Sequence, residues 1–184
     1  LICLIPILRN SPKQMIQYMC LTLMCFSLLG WGFMHLGWIW RMNGGTFMVL
    51  YIIILTEVCD NLHVNLSRHF GNIKMFSRIS PKRTLEAGVV SFVLTLLLAW
   101  GMRHLLPVRT EPYWICAGLT AAWAGSLGDL VLSVIRRDLG VKDAGQFIIG
   151  RGDLLTVMDR MIFVAPIFYY VMWFLMHYVK ADVI

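Results

Sequence analysis

Charge is scarce in this chain. Only 14% of its 184 residues are Asp, Glu, Lys or Arg, against roughly 25% in a soluble domain. The shortage excludes a disordered chain, which needs low hydrophobicity and high charge, and it argues against a soluble fold. Cysteine occurs five times (Cys3, Cys20, Cys25, Cys59, Cys116) but never as CxxC, which excludes a zinc ribbon or a secreted disulfide scaffold. Set in apolar runs, these thiols are expected to act as small hydrophobes. Low-complexity tracts and internal repeats of 20–50 residues are also lacking.

What the chain has instead is apolar surface, in 59% of its residues. A spanning helix needs about 20 mostly apolar residues. Five stretches qualify: 15–40, 46–65, 85–106, 113–135 and 154–179. Leu1–Leu8 reads as the end of a sixth span. With Leu1 in place of a starting Met, the expectation is the C-terminal part of a longer chain. The fold class is therefore all-α, a polytopic integral membrane helical bundle forming one membrane-embedded domain over 1–184. Trp31, Trp38 and Trp40 close the first stretch, and Tyr113 and Trp114 open the fourth, as interfacial aromatics do.

The net charge of +6 is read through topology rather than nucleic acid. The loops at 9–13, 68–83 and 136–151 hold eleven of the sixteen Lys and Arg, whereas those at 41–45, 103–112 and the C-terminal tail hold four. The positive-inside rule puts the first set in the cytoplasm, so loops 66–84 and 136–153 are expected to be cytosolic.

Carboxylates inside spans are costly, about 2.5–3.5 kcal/mol at the bilayer centre on insertion scales, and mark function by default. Glu57 and Asp60 sit late in the second span, Glu86 opens the third, Asp129 sits late in the fourth and Asp159 early in the fifth. All five are expected near the cytoplasmic ends. Glu57 and Asp60 (i, i+3) share one helix face, as do Asp129, Ser133 and Arg136 (i, i+4, i+7). Gly125 and Gly128 are small enough to admit a neighbouring helix close to Asp129. Carboxylate oxygens suit Mg²⁺, whose shell is usually completed by water and substrate phosphates. The nearby Lys82, Arg83, Arg136, Arg137, Lys142 and Arg151 suit phosphate oxygens. Acids for a metal beside bases for phosphate suggest phosphoryl or nucleotidyl transfer on a lipid. The alternative is that acids and bases pair to hold the bundle together. The pair Cys59 and His63 (i, i+4) supplies too few ligands for a soft metal.

Two stretches resemble the phosphatidate cytidylyltransferase (CDP-diacylglycerol synthase) family. The first runs Asp60-Asn61, Phe70-Gly71, Lys74 and Arg78-Ile79-Ser80-Pro81-Lys82-Arg83-Thr84-Leu85-Glu86-Ala87-Gly88, similar to an acid, FGxxK and ISPKKTxEG. The second is Gly128-Asp129-Leu130, Ser133, Arg136-Arg137, Val141-Lys142-Asp143, Gly150-x-Gly152 and Asp159-Arg160, similar to GDLxxSxxKR, (V/I)KD, PGHGG and LDRxD. Arg151 stands where PGHGG has its His, which marks a divergent member. The resemblance implies transfer of the cytidylyl group of CTP to phosphatidate, giving CDP-diacylglycerol and pyrophosphate with Mg²⁺ as cofactor. It implies Asp129, Lys142, Asp143 and Asp159 in catalysis, with Asp129, Asp143 and Asp159 on the metal. It implies Asp60, Ser80, Lys82, Arg83, Ser133, Arg136, Arg137 and Arg151 in substrate binding.

The expected partners are CTP, phosphatidate or a related anionic lipid, and the bilayer, with a homodimer left open and nucleic acid excluded. A bacterial inner membrane with the site facing the cytosol is the expected location. Three competing readings stand beside this one. One is a CTP-dependent lipid-alcohol kinase, another a transporter using the same acids, which predicts acids spread through the membrane depth, and the third a degenerate homologue that binds nucleotide without turnover. A CDP-alcohol phosphatidyltransferase is disfavoured by the lack of a DGxxAR…GxxxD…D run, and P-loop chemistry by the lack of GxxxxGK[ST].

Overall fold

The computed structural model describes residues 15–69, 73–76, 80–108, 110–138 and 154–179. Its helices are α1 (Met15–Trp40), α2 (Gly45–His69), α3 (Leu85–Gly101), α4 (Glu111–Asp138) and α5 (Leu154–Tyr178). Four of these, all but α3, are long and apolar enough to cross a membrane. The chain is an integral membrane protein built as a helical bundle. The segment 1–8, taken from sequence as the end of a further span, lies outside the described residues.

The expected third span, 85–106, is divided. Helix α3 has 17 residues and closes where the Met102 amide donates back to Leu98, and a 3₁₀ turn over Arg103–Leu105 follows. At about 1.5 Å per residue α3 is about 25 Å long. It presents Val89, Val93, Leu97 and Trp100 outward, one face at helical spacing.

The expected loop 66–84 contains a short antiparallel ribbon, β1 (Lys74–Phe76) and β2 (Ser80–Thr84), with Lys74 opposite Thr84 and Phe76 opposite Ser80. Three side contacts seat it. The Thr84 amide donates to Ser67 Oγ of α2 (3.3 Å), the Leu85 amide to the Ile73 carbonyl (3.0 Å), and the Ile73 amide to the Glu86 carboxylate (3.2 and 3.3 Å). Glu86 also lies in the first turn of α3, where a negative charge complements the helix dipole.

Small residues set the packing. Helix α4 carries Ala117, Ala121 and Ala124 in the core, a stripe continued by Gly125 and Gly128. A Cβ at Gly128 would meet Phe163 of α5 at 3.0 Å, and one at Gly125 would meet Thr56 of α2 at 2.9 Å. Bilayer lipid is as apolar as the helices, so association relies on such close approach. Around the stripe pack Tyr51, Ile52, Leu55, Val164, Phe168 and Met172. The Tyr51 hydroxyl donates to the Ala99 carbonyl (2.8 Å). Buried hydroxyls on Thr56, Thr95 and Thr120 each donate to the carbonyl four residues back, a satisfied state within an apolar interior.

The two ends of the bundle differ. At one, α1 turns into α2 through Gly44, whose φ of +72° is accessible to glycine at little cost. There Trp38, Arg41, Tyr169, Trp173 and His177 line a cleft of about 460 Å³. At the other end the last turns of α2 and α4 meet the beginning of α5 and the ribbon.

Candidate functional site

The site grows from a polar stripe on α2. Glu57, Asp60, His63 and Ser67 recur at three- and four-residue steps, so they face one way. Ser67 anchors the ribbon, which delivers Arg83 from β2. Arg83 points back along α2 and is 7% exposed. Its Nη2 makes a close ion pair with Asp60 Oδ1 and lies 2.8 Å from Asp129 Oδ2 on α4.

Arg83 has a further hold. Its Nη1 donates to His63 Nδ1 (3.4 Å), while His63 Nε2 lies 3.2 Å from the Thr84 carbonyl. A carbonyl only accepts, so Nε2 carries the proton and Nδ1 offers its lone pair to the guanidinium. Both nitrogens of this buried ring are thereby used.

Arg160, inside α5, supplies the second buried cation. It is 3% exposed, and its Nη1 lies 3.2 Å from Glu57 Oε1 and 3.1 Å from Asp60 Oδ2. Asp60 therefore uses one oxygen for each arginine. The carboxylates are wetter than the cations that join them, with Glu57, Asp60 and Asp129 at 22%, 21% and 18% exposure. Among the described residues, three acids face two guanidiniums here.

Of the residues expected from sequence, Asp60, Arg83 and Asp129 are brought together. Ser133 lies one turn beyond Asp129 on α4 and is partly buried. Glu86 turns to the ribbon. Ser80 and Lys82 lie on β2, Arg136 and Arg137 in the last turns of α4, and Asp159 near the start of α5; their side chains lie outside the description. Lys142, Asp143 and Arg151 lie outside the described residues. Sequence reasoning placed Glu57 among the acids, weighed His63 only with Cys59 and met Arg160 only in the Asp159-Arg160 pair, and it assigned none of the three its partner. For Arg160 the signal was present, since an arginine inside a span demands a partner. For His63 there was none, because its partners come from a ribbon about 20 residues away.

Whether these residues suit a divalent ion is decided by donor chemistry and placement. Asp60 Oδ1 and Asp129 Oδ2 both contact one guanidinium nitrogen, so they lie within reach of one small cation. Mg²⁺ is commonly held by one or two carboxylates, the rest of its shell being water and phosphate. The pair fits that demand. Among the described residues no three His, Cys, Asp or Glu side chains gather into a fuller metal centre.

Comparison with known proteins returns one family. Residues 1–175 match the model of the cytidylyltransferase family. An Escherichia coli K12 protein, the uncharacterized protein YnbB, is 33% identical over 159 residues, 78% of this chain and 52% of its own length. The phosphatidate cytidylyltransferase of Staphylococcus aureus strain COL is 29% identical over 147 residues, covering 79% of this chain and 55% of that protein. The phosphatidate cytidylyltransferase of Haemophilus influenzae is 30% identical over 137 residues, 72% and 48% respectively. The chain spans about half the length of these relatives.

Proposed function

Because the chain belongs to the cytidylyltransferase family, we propose that it transfers the cytidylyl group of CTP to phosphatidate, releasing pyrophosphate and forming CDP-diacylglycerol. A phosphate oxygen of phosphatidate attacks the α-phosphorus of CTP, and the bond from that phosphorus to the β-phosphate bridging oxygen breaks. The attacking oxygen is already anionic at neutral pH, so the chain need not supply a base. Its work is to position two anions and offset their charge.

In this reading Asp60 and Asp129 hold Mg²⁺, joined by Asp159 and Asp143 as the family resemblance implies. The ion supplies charge neutralisation on the triphosphate and the leaving pyrophosphate. Arg83 from the ribbon and the basic residues of 136–151 turn to phosphate oxygens, where a planar guanidinium gives two parallel hydrogen bonds. Arg160 stays on Glu57 and Asp60 and fixes the carboxylate that faces the ion. Ser80, Lys82, Ser133 and Lys142 complete the binding surface in the two loops. The membrane is a bacterial inner membrane with this end of the bundle toward the cytosol, in keeping with the crowding of Lys and Arg there.

The observation that carries the reading is the convergence of acids from α2 and α4 with an arginine from the ribbon and another from α5, all at one end of the bundle. A transporter path would spread such groups through the depth of the membrane.

The test is the fate of label from CTP incubated with the protein, phosphatidate and Mg²⁺. Label in the α-phosphate should enter lipid and label in the γ-phosphate should leave as pyrophosphate. Entry of γ-label into lipid points to a kinase and overturns the proposal. Asp129→Asn, nearly isosteric, should lower the rate at least about a hundredfold, on the scale of losing one charge-stabilising group in a low-dielectric site. Product formation at the unaltered rate would remove Asp129 from the chemistry.

A further inference from the structure

We propose that Arg83 occupies the place a divalent ion takes, so that the ion enters only together with a phosphate that draws the guanidinium away. The inference rests on the cytidylyltransferase reading for the identity of the nucleotide, and on the geometry for everything else. Arg83 Nη2 contacts Asp60 Oδ1 and is 2.8 Å from Asp129 Oδ2. A Mg²⁺ ion bound to both oxygens, about 2.1 Å from each, would take the same two acceptors that this nitrogen uses. Ion and guanidinium compete for one pair of oxygens.

Charge gives the exchange its direction. With Arg83 in place, three carboxylates meet two guanidiniums among the described residues, and Arg160 already spans Glu57 Oε1 and Asp60 Oδ2. A bare divalent ion would have to take both acids from Arg83 while the His63 contact still holds that guanidinium beside them, so a buried cation would lose its carboxylate partners. Burying uncompensated charge is strongly unfavourable. A nucleotide triphosphate changes that condition. Its oxygens add negative charge beside the ion and give Arg83 a new acceptor at a charge-assisted hydrogen bond. The His63 contact on Nη1 keeps the fork near the site while Nη2 changes partner. Arg83 thus links metal loading to nucleotide arrival.

The test uses Mn²⁺ as the probe, followed by loss of the free-ion electron paramagnetic resonance signal on the purified protein without nucleotide or lipid. The wild type should bind Mn²⁺ weakly. Arg83→Gln removes the occupant and its charge, and should bind at least about tenfold more tightly. Arg83→Lys keeps the charge and should remain close to the wild type. Adding Asp129→Asn to Arg83→Gln should abolish the gain, which assigns the gained ion to this pair of acids. Equal Mn²⁺ affinity in wild type and Arg83→Gln overturns the proposal.

A measurement on the wild type alone covers the case in which Arg83→Gln does not fold. The thermal midpoint should rise with Mg²⁺ and CTP together and stay unchanged with Mg²⁺ alone. Stabilisation by Mg²⁺ alone overturns the proposal. The Mn²⁺ arm involves neither CTP nor phosphatidate, so its failure is distinguishable from a failure of the labelled-CTP assay.

Discussion

Arg160 is the most deeply enclosed charge in the cluster, and its two acids have different alternatives. Asp60 keeps Arg83 when Arg160 is lost, whereas Glu57 has Arg160 as its one ion-pair partner among the described residues. Arg160→Met should therefore destabilise the protein by about 3 kcal/mol, the lower end for breaking a buried pair because Glu57 is one-fifth exposed. The double variant Arg160→Met with Glu57→Met should recover a large part of that loss, since the pair disappears together. Thermal unfolding in detergent measures both. At this scale the acids were legible, because a carboxylate in an apolar run stands out and the step from Glu57 to Asp60 places both on one face. The partners were not. Arg83 lies 23 residues from Asp60 and 46 from Asp129 in the chain, and no local pattern records that reach.

At the scale of elements, the ribbon carries Arg83 and was missed for a physical reason. Strands of three and five residues, one containing Pro81, are too short for an alternation signal, and what seats them comes from other elements. Ser67→Ala removes the acceptor for the Thr84 amide, a hydrogen bond worth about 1 kcal/mol. Hydrogen exchange at Thr84 should speed several-fold while the helices stay protected; unchanged exchange would mean that Ser67 does not hold the ribbon. The glycine line on α4 was legible, because closeness there depends only on side-chain size. Gly128→Val should push α4 from α5 and cost about 1–3 kcal/mol through overpacking. Phe163→Ala in the same protein should return part of the stability, because Phe163 supplies the clash. The division of the span expected at 85–106 was not legible, since hydropathy averages over the Met102 break.

For the molecule as a whole, the sequence was most informative, since apolar runs of spanning length follow from bilayer thickness and need no tertiary knowledge. Its arrangement is polar in one further sense: the ion cluster and the ribbon share one end, and the aromatic cleft with Arg41 has the other. The proposed orientation in the membrane rests on the uneven Lys and Arg count. Cysteines introduced as Asn43→Cys and Lys74→Cys into a protein whose native cysteines are replaced should therefore respond differently to an impermeant thiol reagent. In intact cells Asn43→Cys should label and Lys74→Cys should label only after lysis. The reverse pattern would turn the protein over and put the proposed site on the wrong side for CTP.

The brevity of α3 carries its own implication for the lipid. A helix of 17 residues is about 5 Å shorter than a hydrocarbon layer of about 30 Å, and its outward valines and leucine are exposed among the described residues. A bilayer that thins to match would form a shallow dimple against the helix that begins at the ribbon. Headgroups in such a dimple would ride deeper than elsewhere in the leaflet, which in the proposed reaction would bring an acceptor phosphate nearer the acids of α2 and α4.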